Sequence, residues 1–304
     1  MQFSAFLPDV PRAILLATDL SSRCDRALDR AVSLARQWSA RLVVLTVVET
    51  DAAADPAGIA VAATQPGGFD PRLLASTQVR RDIADAGGDV EVELVIRDGT
   101  AGDRQFGRQI EAVAAEHQCS LILTGTARNE PLGRVLLGST VQWLARTSMV
   151  PLLVVRRRVH GPYLRIVVAS DFSPSSRRAL DTIGALIPAA QPTIFHAFEV
   201  PFLGLIDSNR DYTVEQARTG ALAAARGFLA DAGRPMLPVI VEHGDPATRL
   251  RDHARREDTE LLVVASHGRS ALFNLLIGSV AQDVLESAMC DTLLVPEPRA
   301  RAGR

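Results

Sequence analysis

The sequence predicts an α/β protein made of two tandem copies of one domain, each a doubly wound, five-stranded parallel sheet between helices. Two observations support this. Short apolar runs rich in β-branched residues alternate with helical patterns along the 304 residues. The same landmarks also recur in the same order in both halves, which indicates an internal duplication. We place the first copy at residues 10–157 and the second copy at residues 163–297.

The duplication rests on three landmarks: an apolar strand ending in Asp, a second apolar strand followed later by a Gly-Ser pair, and a closing apolar strand. They read AILLATD (13–19), LILTG (121–125) and PLLVV (151–155) in the first copy, and IVVASD (166–171), LLVVA (261–265) and TLLV (292–295) in the second.

The predicted strands of the first copy are near-continuous apolar runs, of which Leu42-Val43-Val44-Leu45 is typical. Continuous apolarity indicates burial on both faces, as in a parallel sheet covered by helices on each side. The predicted strands lie at about 13–18, 41–48, 90–96, 120–124 and 151–155.

Helical patterns fill the segments between these strands, near 22–38, 70–86, 104–117 and 139–147. The first is amphipathic, and Asp70-Pro71 opens the second with a cap residue and a proline. In the second copy, Thr213 and Gln216 form a capping-box pattern ahead of an Ala-rich helix. Residues 50–69, rich in Ala, Gly and Pro, are expected to form a loop, either a lid or a tolerated insertion.

Composition excludes several classes of function. With 35 acidic and 33 basic residues, the net charge of −2 does not favour nucleic acid or a membrane surface as a partner. All 33 basic residues are Arg, which excludes a Schiff-base lysine and a Walker-type P-loop. We interpret Arg156-Arg157-Arg158 and the Arg-bearing tail at 299–304 as solvated segments.

The expected location is the cytoplasm. Three widely spaced cysteines form no disulfide framework and fit a reducing compartment, where we interpret them as core or near-surface residues (Cys24, Cys119 and Cys290). Residues 1–11 lack the basic region of a signal peptide, and no apolar run approaches the roughly 18 residues that span a membrane.

The candidate site lies where ligands bind in doubly wound sheets, beyond the carboxyl ends of the strands where the strand order reverses. In the second copy, the fourth strand leads to Ala265-Ser266-His267-Gly268, then nine residues, then Gly278-Ser279. Small residues let backbone N–H groups approach phosphate oxygens, and a helix starting at Ser279 directs its positive end at an anion. A carboxylate such as Asp171 can accept from an adenine amino group or a ribose hydroxyl.

These motifs resemble universal stress proteins of the UspA type over nearly all of residues 10–297. Nucleotide-binding members of that family carry G-x2-G-x9-G-[ST] after the fourth strand and an Asp that ends the first. The second copy departs from this pattern only at Ala265, which replaces the first Gly. The first copy keeps Gly125 but has Arg128 where the second Gly belongs, so its nucleotide loop is degenerate.

The resemblance implies a Rossmann-like, adenine nucleotide alpha-hydrolase-like fold in which the last strands of the two copies pair edge to edge. It also implies ATP, with or without Mg²⁺, as a ligand held mainly by the second copy. The implied nucleotide-binding residues are Asp171, Ala197, Ala265, His267, Gly268, Gly278 and Ser279, with Asp19, Val47, Gly125, Arg128, Gly138 and Ser139 as first-copy counterparts.

Structural interpretations stand beside these roles. The two Asp residues could cap the following helices, and both Gly-Ser pairs could be plain helix starts. Gly99 and Gly244-Asp245-Pro246 are interpreted as turns, and His267 as either a phosphate contact or a solvated loop residue. Neither His243 nor His253 belongs to a recognisable metal motif, and no protein metal ligands are expected.

The sequence therefore predicts a stress-response protein that binds ATP as a regulatory ligand and is not an enzyme, with no catalytic residues. It contains no G-x-S-x-G elbow, although slow ATP hydrolysis or self-phosphorylation stays open. The alternative is a nucleotide-free interaction or dimerisation module of the same family, favoured by Arg128 and Ala265. An unidentified protein partner is expected in either case, and whether two chains form a homodimer is left open.

Overall fold

The computed structural model describes residues 11–21, 24–49, 71–87, 89–99, 103–126, 138–200, 210–266 and 277–297. Strands and helices alternate through them as predicted. The first copy contains β1 (Ala13–Thr18), α1 (Asp25–Trp38), β2 (Arg41–Glu49), α2 (Pro71–Asp85), β3 (Val92–Gly99), α3 (Asp103–Glu116), β4 (Ile122–Thr124), α4 (Ser139–Thr147) and β5 (Leu152–Val154). The second contains β6 (Ile166–Ala169), α5 (Pro174–Leu186), β7 (Thr193–Phe198), α6 (Arg210–Asp231), β8 (Val239–His243), α7 (Pro246–Arg256), β9 (Leu261–Ala265), α8 (Ser279–Ser287) and β10 (Asp291–Val295).

The described strands join into one ten-stranded sheet with the order β3-β2-β1-β4-β5-β10-β9-β6-β7-β8. Pairing within each copy is parallel, and each half has the doubly wound order, so the predicted fold class is confirmed. The two halves meet where β10 pairs antiparallel with β5, with Leu293 opposite Leu153. This confirms the predicted edge-to-edge pairing, which covers two strand edges that would otherwise be open.

Helices cover both faces of the sheet. Ile14 and Leu16 of β1 pack in a core with α1, α2, α5 and α6, whereas Leu15 and Ala17 of the same strand pack in a second core with α3, α4, α7 and α8. Successive strand residues point to opposite faces, so a strand buried on both faces must be apolar throughout. The near-continuous apolar runs in the sequence have this origin.

Two predicted helix starts need correction. α1 begins at Asp25 and not near residue 22, because the chain first makes a turn held by Asp19. α6 begins at Arg210, so Thr213 lies inside the helix and does not cap it. Gln216 instead donates from Nε2 to Tyr212 Oη at 2.8 Å, one turn earlier. Asp70 and the predicted loop at 50–69 lie outside the described residues.

The prediction that the three-arginine run is solvated is wrong for Arg156, which is 7% exposed. Its guanidinium donates to Leu285 O and, at 3.2 Å, to Thr292 Oγ1, and its backbone N–H donates to Asp291 Oδ1 at 2.7 Å. The linker between the copies therefore folds against the second copy. Arg158 remains exposed.

Asp291 is the centre of this junction and is fully buried. Tyr163 donates from Oη to Asp291 Oδ2 at 2.6 Å, and the buried Arg30 of α1 places Nε 3.6 Å from the same oxygen. Burial, followed by the charge of Asp291, raises the pKa of Tyr163 well above its ordinary value. Residues of the first copy, the linker and the second copy thus share one buried carboxylate.

None of the described helices combines the length and the apolar character needed to cross a bilayer.

Candidate functional site

The strand order reverses between β1 and β4 in the first copy and between β6 and β9 in the second. The chain leaves the carboxyl ends of these paired strands in opposite directions, which opens a crevice above the sheet. Asp19 and Gly125 follow the two strands of the first copy; Asp171 follows β6, and Ala265 ends β9 in the second. The structure therefore brings the Asp residues and the fourth-strand loops to the same edge of the sheet.

Asp171 is held in a tight turn between β6 and α5. Its Oδ1 accepts from Ser173 N at 3.0 Å and from Ser176 Oγ at 2.7 Å, while Ser176 Oγ accepts from Asp171 N at 3.1 Å. Ser173 is the N-cap of α5, and its side chain accepts from Ser176 N. Asp171 therefore fixes the turn before the helix, and the interpretation that it caps the helix itself is wrong.

Asp19 makes the corresponding turn in the first copy. Its Oδ1 accepts from Ser21 N at 3.0 Å, Ser21 Oγ at 2.6 Å and Cys24 Sγ at 3.2 Å. The N-cap of α1 is Cys24, which makes no side-chain capping bond, so Asp19 does not cap the helix either. Burial raises the pKa of the Cys24 thiol, and the neighbouring carboxylate also raises it.

The residue after each Asp is left-handed, with φ of 59° at Leu20 and 61° at Phe172. Bulky side chains rarely adopt this conformation, and such strain persists only where the surroundings enforce it. The Phe172 ring packs 4.5 Å from the His196 ring and 5.7 Å from the Phe228 ring. Contacts with β7 and α6 thus hold the backbone that presents Asp171.

Both Gly-Ser pairs start helices, as their structural interpretation predicted. Gly138 and Gly278 are the N-caps of α4 and α8, with φ of −57° and −59°. Neither makes a side-chain capping bond. Ser139 and Ser279 are exposed in the first turn. An uncapped helix start leaves backbone N–H groups and the positive end of the helix available to an anion.

A link that sequence reasoning missed fixes the start of α8. Gly278 N donates to Ser266 O at 2.8 Å, and Ser266 N donates to Val295 O of β10 at 2.8 Å. Glu297 N then donates to the buried Ser266 Oγ at 3.1 Å. The two ends of the glycine loop are therefore tied to each other and to the end of β10. Ser266 lies inside the loop motif, but its partners are visible only in the folded chain.

The matches to known proteins agree with this geometry. The sequence model described as "Universal stress protein family" matches residues 11–156 and 162–296. The chain belongs to the universal stress protein family.

Among relatives of this universal stress protein, one from Mycolicibacterium smegmatis is 27% identical over 299 residues, covering 93% of this chain and 96% of the relative. Universal stress protein MJ0531 of Methanocaldococcus jannaschii is 34% identical over 144 residues, which is 45% of this chain and 84% of the relative. Similarity over the full length and over about one copy agrees with a tandem arrangement.

Solved structures agree at the level of the fold. A protein of unknown function from Pseudomonas aeruginosa, PA1789, aligns with a TM-score of 0.66 at 18% identity and covers 94% of this chain and 92% of its own. A universal stress protein from Archaeoglobus fulgidus aligns with a TM-score of 0.65 at 17% identity, covering 94% and 98%.

Ala197 and Val47 extend beyond the strand pairing next to the crevice. The β6–β7 ladder ends at Ala169 opposite Phe195, and the β1–β2 ladder ends at Thr18 opposite Thr46. Both residues therefore lie past the last paired residue of the central strand, on the side where an adenine base is predicted to bind. Their predicted role as backbone contacts stays a prediction.

Three of the predicted site residues, Arg128, His267 and Gly268, lie outside the described residues. The contacts they would make with a nucleotide stay predictions, as do the roles of the other predicted site residues. The proposed copy boundaries of 10–157 and 163–297 likewise stay predictions.

The remaining candidates are structural. Gly244 has φ of +130°, and Asp245 caps α7 by accepting from Thr248 N, which confirms a turn there. Gly99 is instead the last residue of β3, so its interpretation as a turn is wrong. Within the described ranges, no three His, Cys, Asp or Glu side chains are grouped as a metal site.

Two of the cysteines are buried, as expected of core residues. Burial raises the pKa of the Cys119 and Cys290 thiols to about 11, which keeps both protonated near neutral pH. His253 is also buried, its ring lies 4.9 Å from that of Phe195, and burial lowers its pKa.

Proposed function

We propose that this universal stress protein binds ATP as a regulatory ligand at the crevice between β6 and β9 of its second copy. The observation that carries the proposal is the convergence of the Asp171 turn and the uncapped start of α8 at this one crevice. A carboxylate that accepts hydrogen bonds complements a nucleoside, and a helix start whose N-cap has no side chain complements its phosphates.

The phosphates would lie against the start of α8. Gly278 has no side chain to block their approach, and the exposed Ser279 hydroxyl adds a donor. Because the chain has no Lys, backbone N–H groups and the helix end would supply the positive potential. Mg²⁺, when present, would be held mainly by phosphate oxygens and water, which requires few protein ligands.

The adenosine would lie between the Asp171 turn and β7. The carboxylate can accept from a ribose hydroxyl or the adenine amino group, and the backbone of Ala197 can pair with the base edge. The strained Phe172 keeps the carboxylate in place before the ligand arrives, so little ordering is needed on binding.

The proposed action is binding linkage without catalysis. ATP at 100 times its Kd would stabilise the binding conformation by about 2.7 kcal/mol. Ser266 connects the start of α8 to β10, and β10 pairs with β5 of the first copy. Occupancy of the second copy can therefore bias the strand pair that joins the copies and, through it, the surface offered to a protein partner.

We also propose a cytoplasmic location, because the three described cysteines are free and two have their thiols buried in the core. Self-association into a homodimer stays a prediction that light scattering of the purified protein can test.

Native mass spectrometry of the purified protein, followed by denaturation and comparison with ATP and AMP standards, tests the proposal. One ATP per chain is expected. Two would show that the first copy also binds despite Arg128. No bound nucleotide, together with no thermal shift at millimolar ATP and Mg²⁺, would contradict the proposal and favour the nucleotide-free interaction module.

A further inference from the structure

A cavity of about 270 Å³ lies between α7 and α8, at the amino-terminal ends of β9 and β10. This is the edge of the sheet opposite the proposed ATP crevice. We infer that this cavity binds a compact polyanion, a small molecule with two or more phosphate or carboxylate groups. Its volume is slightly below the roughly 300–1,000 Å³ of usual small-molecule pockets, which sets the limit on ligand size.

The cavity has an excess of positive charge. Arg157, Arg251 and Arg255 line it, against the single carboxylate of Asp258. Arg157 Nη1 contacts Asp258 Oδ1 at 2.9 Å. Within the described part of the chain, the Arg255 side chain donates to the thioether sulfur of Met289 alone, at 3.8 Å, and this sulfur is a weak acceptor. Among the described residues, neither Arg251 nor Arg255 has an ion-pair partner, so two guanidinium groups remain for a ligand.

A buried hydroxyl without a partner supplies a second, independent observation. Thr259 lines the cavity and is 2% exposed, and its Oγ1 has no hydrogen-bond partner within the described part of the chain. Buried polar atoms are nearly always satisfied, because leaving one without a partner costs free energy. Rotation of the Thr259 side chain toward the cavity would let a ligand oxygen satisfy this hydroxyl.

Helix electrostatics alone do not explain the set. Arg residues in the last turn of a helix complement its negative end, which accounts for Arg255 and for Arg256. Arg256 pairs with Glu242 at 2.6 Å, outside the cavity. The same effect does not place Arg251 in the middle of α7, bring Arg157 in from the linker or leave Thr259 unsatisfied.

The first copy lacks this combination at the corresponding positions. Counting back from the landmark strands, Glu111 corresponds to Arg251, Ala115 to Arg255 and Cys119 to Thr259. The duplicated fold therefore does not require Arg251, Arg255 and Thr259 at these positions, and the three are specific to the second copy. Guanidinium forks match the oxygen pairs of carboxylates and phosphates, and this match defines the class of ligand.

Calorimetric titration at constant ionic strength tests the inference, with inorganic pyrophosphate as the phosphate probe and citrate as the carboxylate probe. We expect saturable binding of at least one of them, and the preference identifies the ligand chemistry. The double variant Arg251→Gln, Arg255→Gln should lose at least about a hundredfold in affinity, since each charged hydrogen bond contributes about tenfold or more. The matched control is Arg256→Gln, which removes a neighbouring charge outside the cavity and should leave affinity unchanged.

Two further variants separate a built cavity from general surface charge. Thr259→Val should lower the affinity about tenfold without lowering the melting temperature, because it removes an unsatisfied hydroxyl. Ser287→Phe should block binding by filling the cavity while leaving every charge in place.

The inference fails if neither probe binds saturably to the wild-type protein, or if Arg256→Gln weakens binding as much as the double variant does. It also fails if Gly268→Arg abolishes probe binding while the cavity variants do not, because the polyanion would then lie at the ATP crevice. Since ATP binding is measured separately, failure here leaves the proposed function intact.

Discussion

The two crevices of this universal stress protein share one backbone design but differ in the groups around it. In both, an Asp accepts from the backbone N–H two residues later and is followed by a left-handed residue. Asp171 also accepts a hydrogen bond from Ser176 Oγ at 2.7 Å. At the same position relative to Asp19, the thiol of Cys24 is a weaker donor and lies at 3.2 Å. Asp19 is exposed, and Asp171 is half-buried. The duplication has kept the turn, while the surroundings of the two carboxylates have diverged.

The two copies differ more in the segments that follow their closing strands, β5 and β10, than in their Asp turns. After β10, the Glu297 carboxylate accepts from Ser175 Oγ at 2.7 Å and lies 3.4 Å from Arg178 Nη1, near the start of α5. After β5, the chain continues into the linker, and Arg26 of α1 donates to Arg156 O at 2.6 Å. The first copy thus uses this region to join the copies, whereas in the second copy the chain after β10 is held against α5.

The largest predicted effect concerns the junction itself. Replacing Asp291 with Ala should lower the free energy of unfolding by about 3–5 kcal/mol, because the buried Arg30 would lose its ion-pair partner and Tyr163 its acceptor. The buried Arg156 would also lose the opposite charge near its guanidinium. Urea unfolding measures this. The control is Glu116→Gln, which breaks the exposed pair with Arg97 and should change stability by about 0.5 kcal/mol or less. Equal effects in the two variants would show that the junction does not depend on its buried charges.

The second prediction exchanges the loop residues of the two copies. Gly268→Arg should weaken ATP binding at least about tenfold if the second copy holds the nucleotide, since a bulky side chain would fill the space for phosphate. The matched control is Arg128→Gly in the first copy, which should leave that affinity unchanged. Native mass spectrometry and calorimetry measure both variants. Unchanged affinity in Gly268→Arg would mean that the loop has been misinterpreted.

Sequence reasoning succeeded where information is local or repeated. Short apolar runs between helical patterns predicted a parallel sheet covered by helices on both faces, and the repeated landmarks predicted two copies of one domain. The β5–β10 pair was implied by the family resemblance. It failed where a side chain's environment comes from distant parts of the chain. The burial of Arg156 depends on Asp291, far along the sequence, and the role of Ser266 depends on Val295 and Glu297. The capping-box pattern at Thr213 failed because the helix continues upstream of it.

The third prediction compares the two carboxylates directly. Asp171→Asn should weaken ATP binding about fivefold to tenfold, because an amide accepts more weakly than a carboxylate from a ribose hydroxyl or the adenine amino group. Asp19→Asn is the matched control in the first copy and should have no effect on the nucleotide held by the second. Calorimetric titration of both variants with ATP distinguishes the copies, and a larger loss in Asp19→Asn would reverse their assigned roles.

The smallest predicted effect tests whether the first turn has diverged only in its donor. Cys24→Ser introduces the hydroxyl that Ser176 has in the second copy. It should raise the free energy of unfolding by about 0.5–1 kcal/mol, since a hydroxyl donates a stronger hydrogen bond to Asp19 than a thiol does.

Cys119→Ser is the contrasting variant, because Cys119 is 6% exposed among apolar residues. A hydroxyl buried there should cost about 1–3 kcal/mol. Urea unfolding of the two variants should therefore give changes of opposite sign. A loss of stability in Cys24→Ser would mean that burial of the thiol, and not its bond to Asp19, stabilises the first turn.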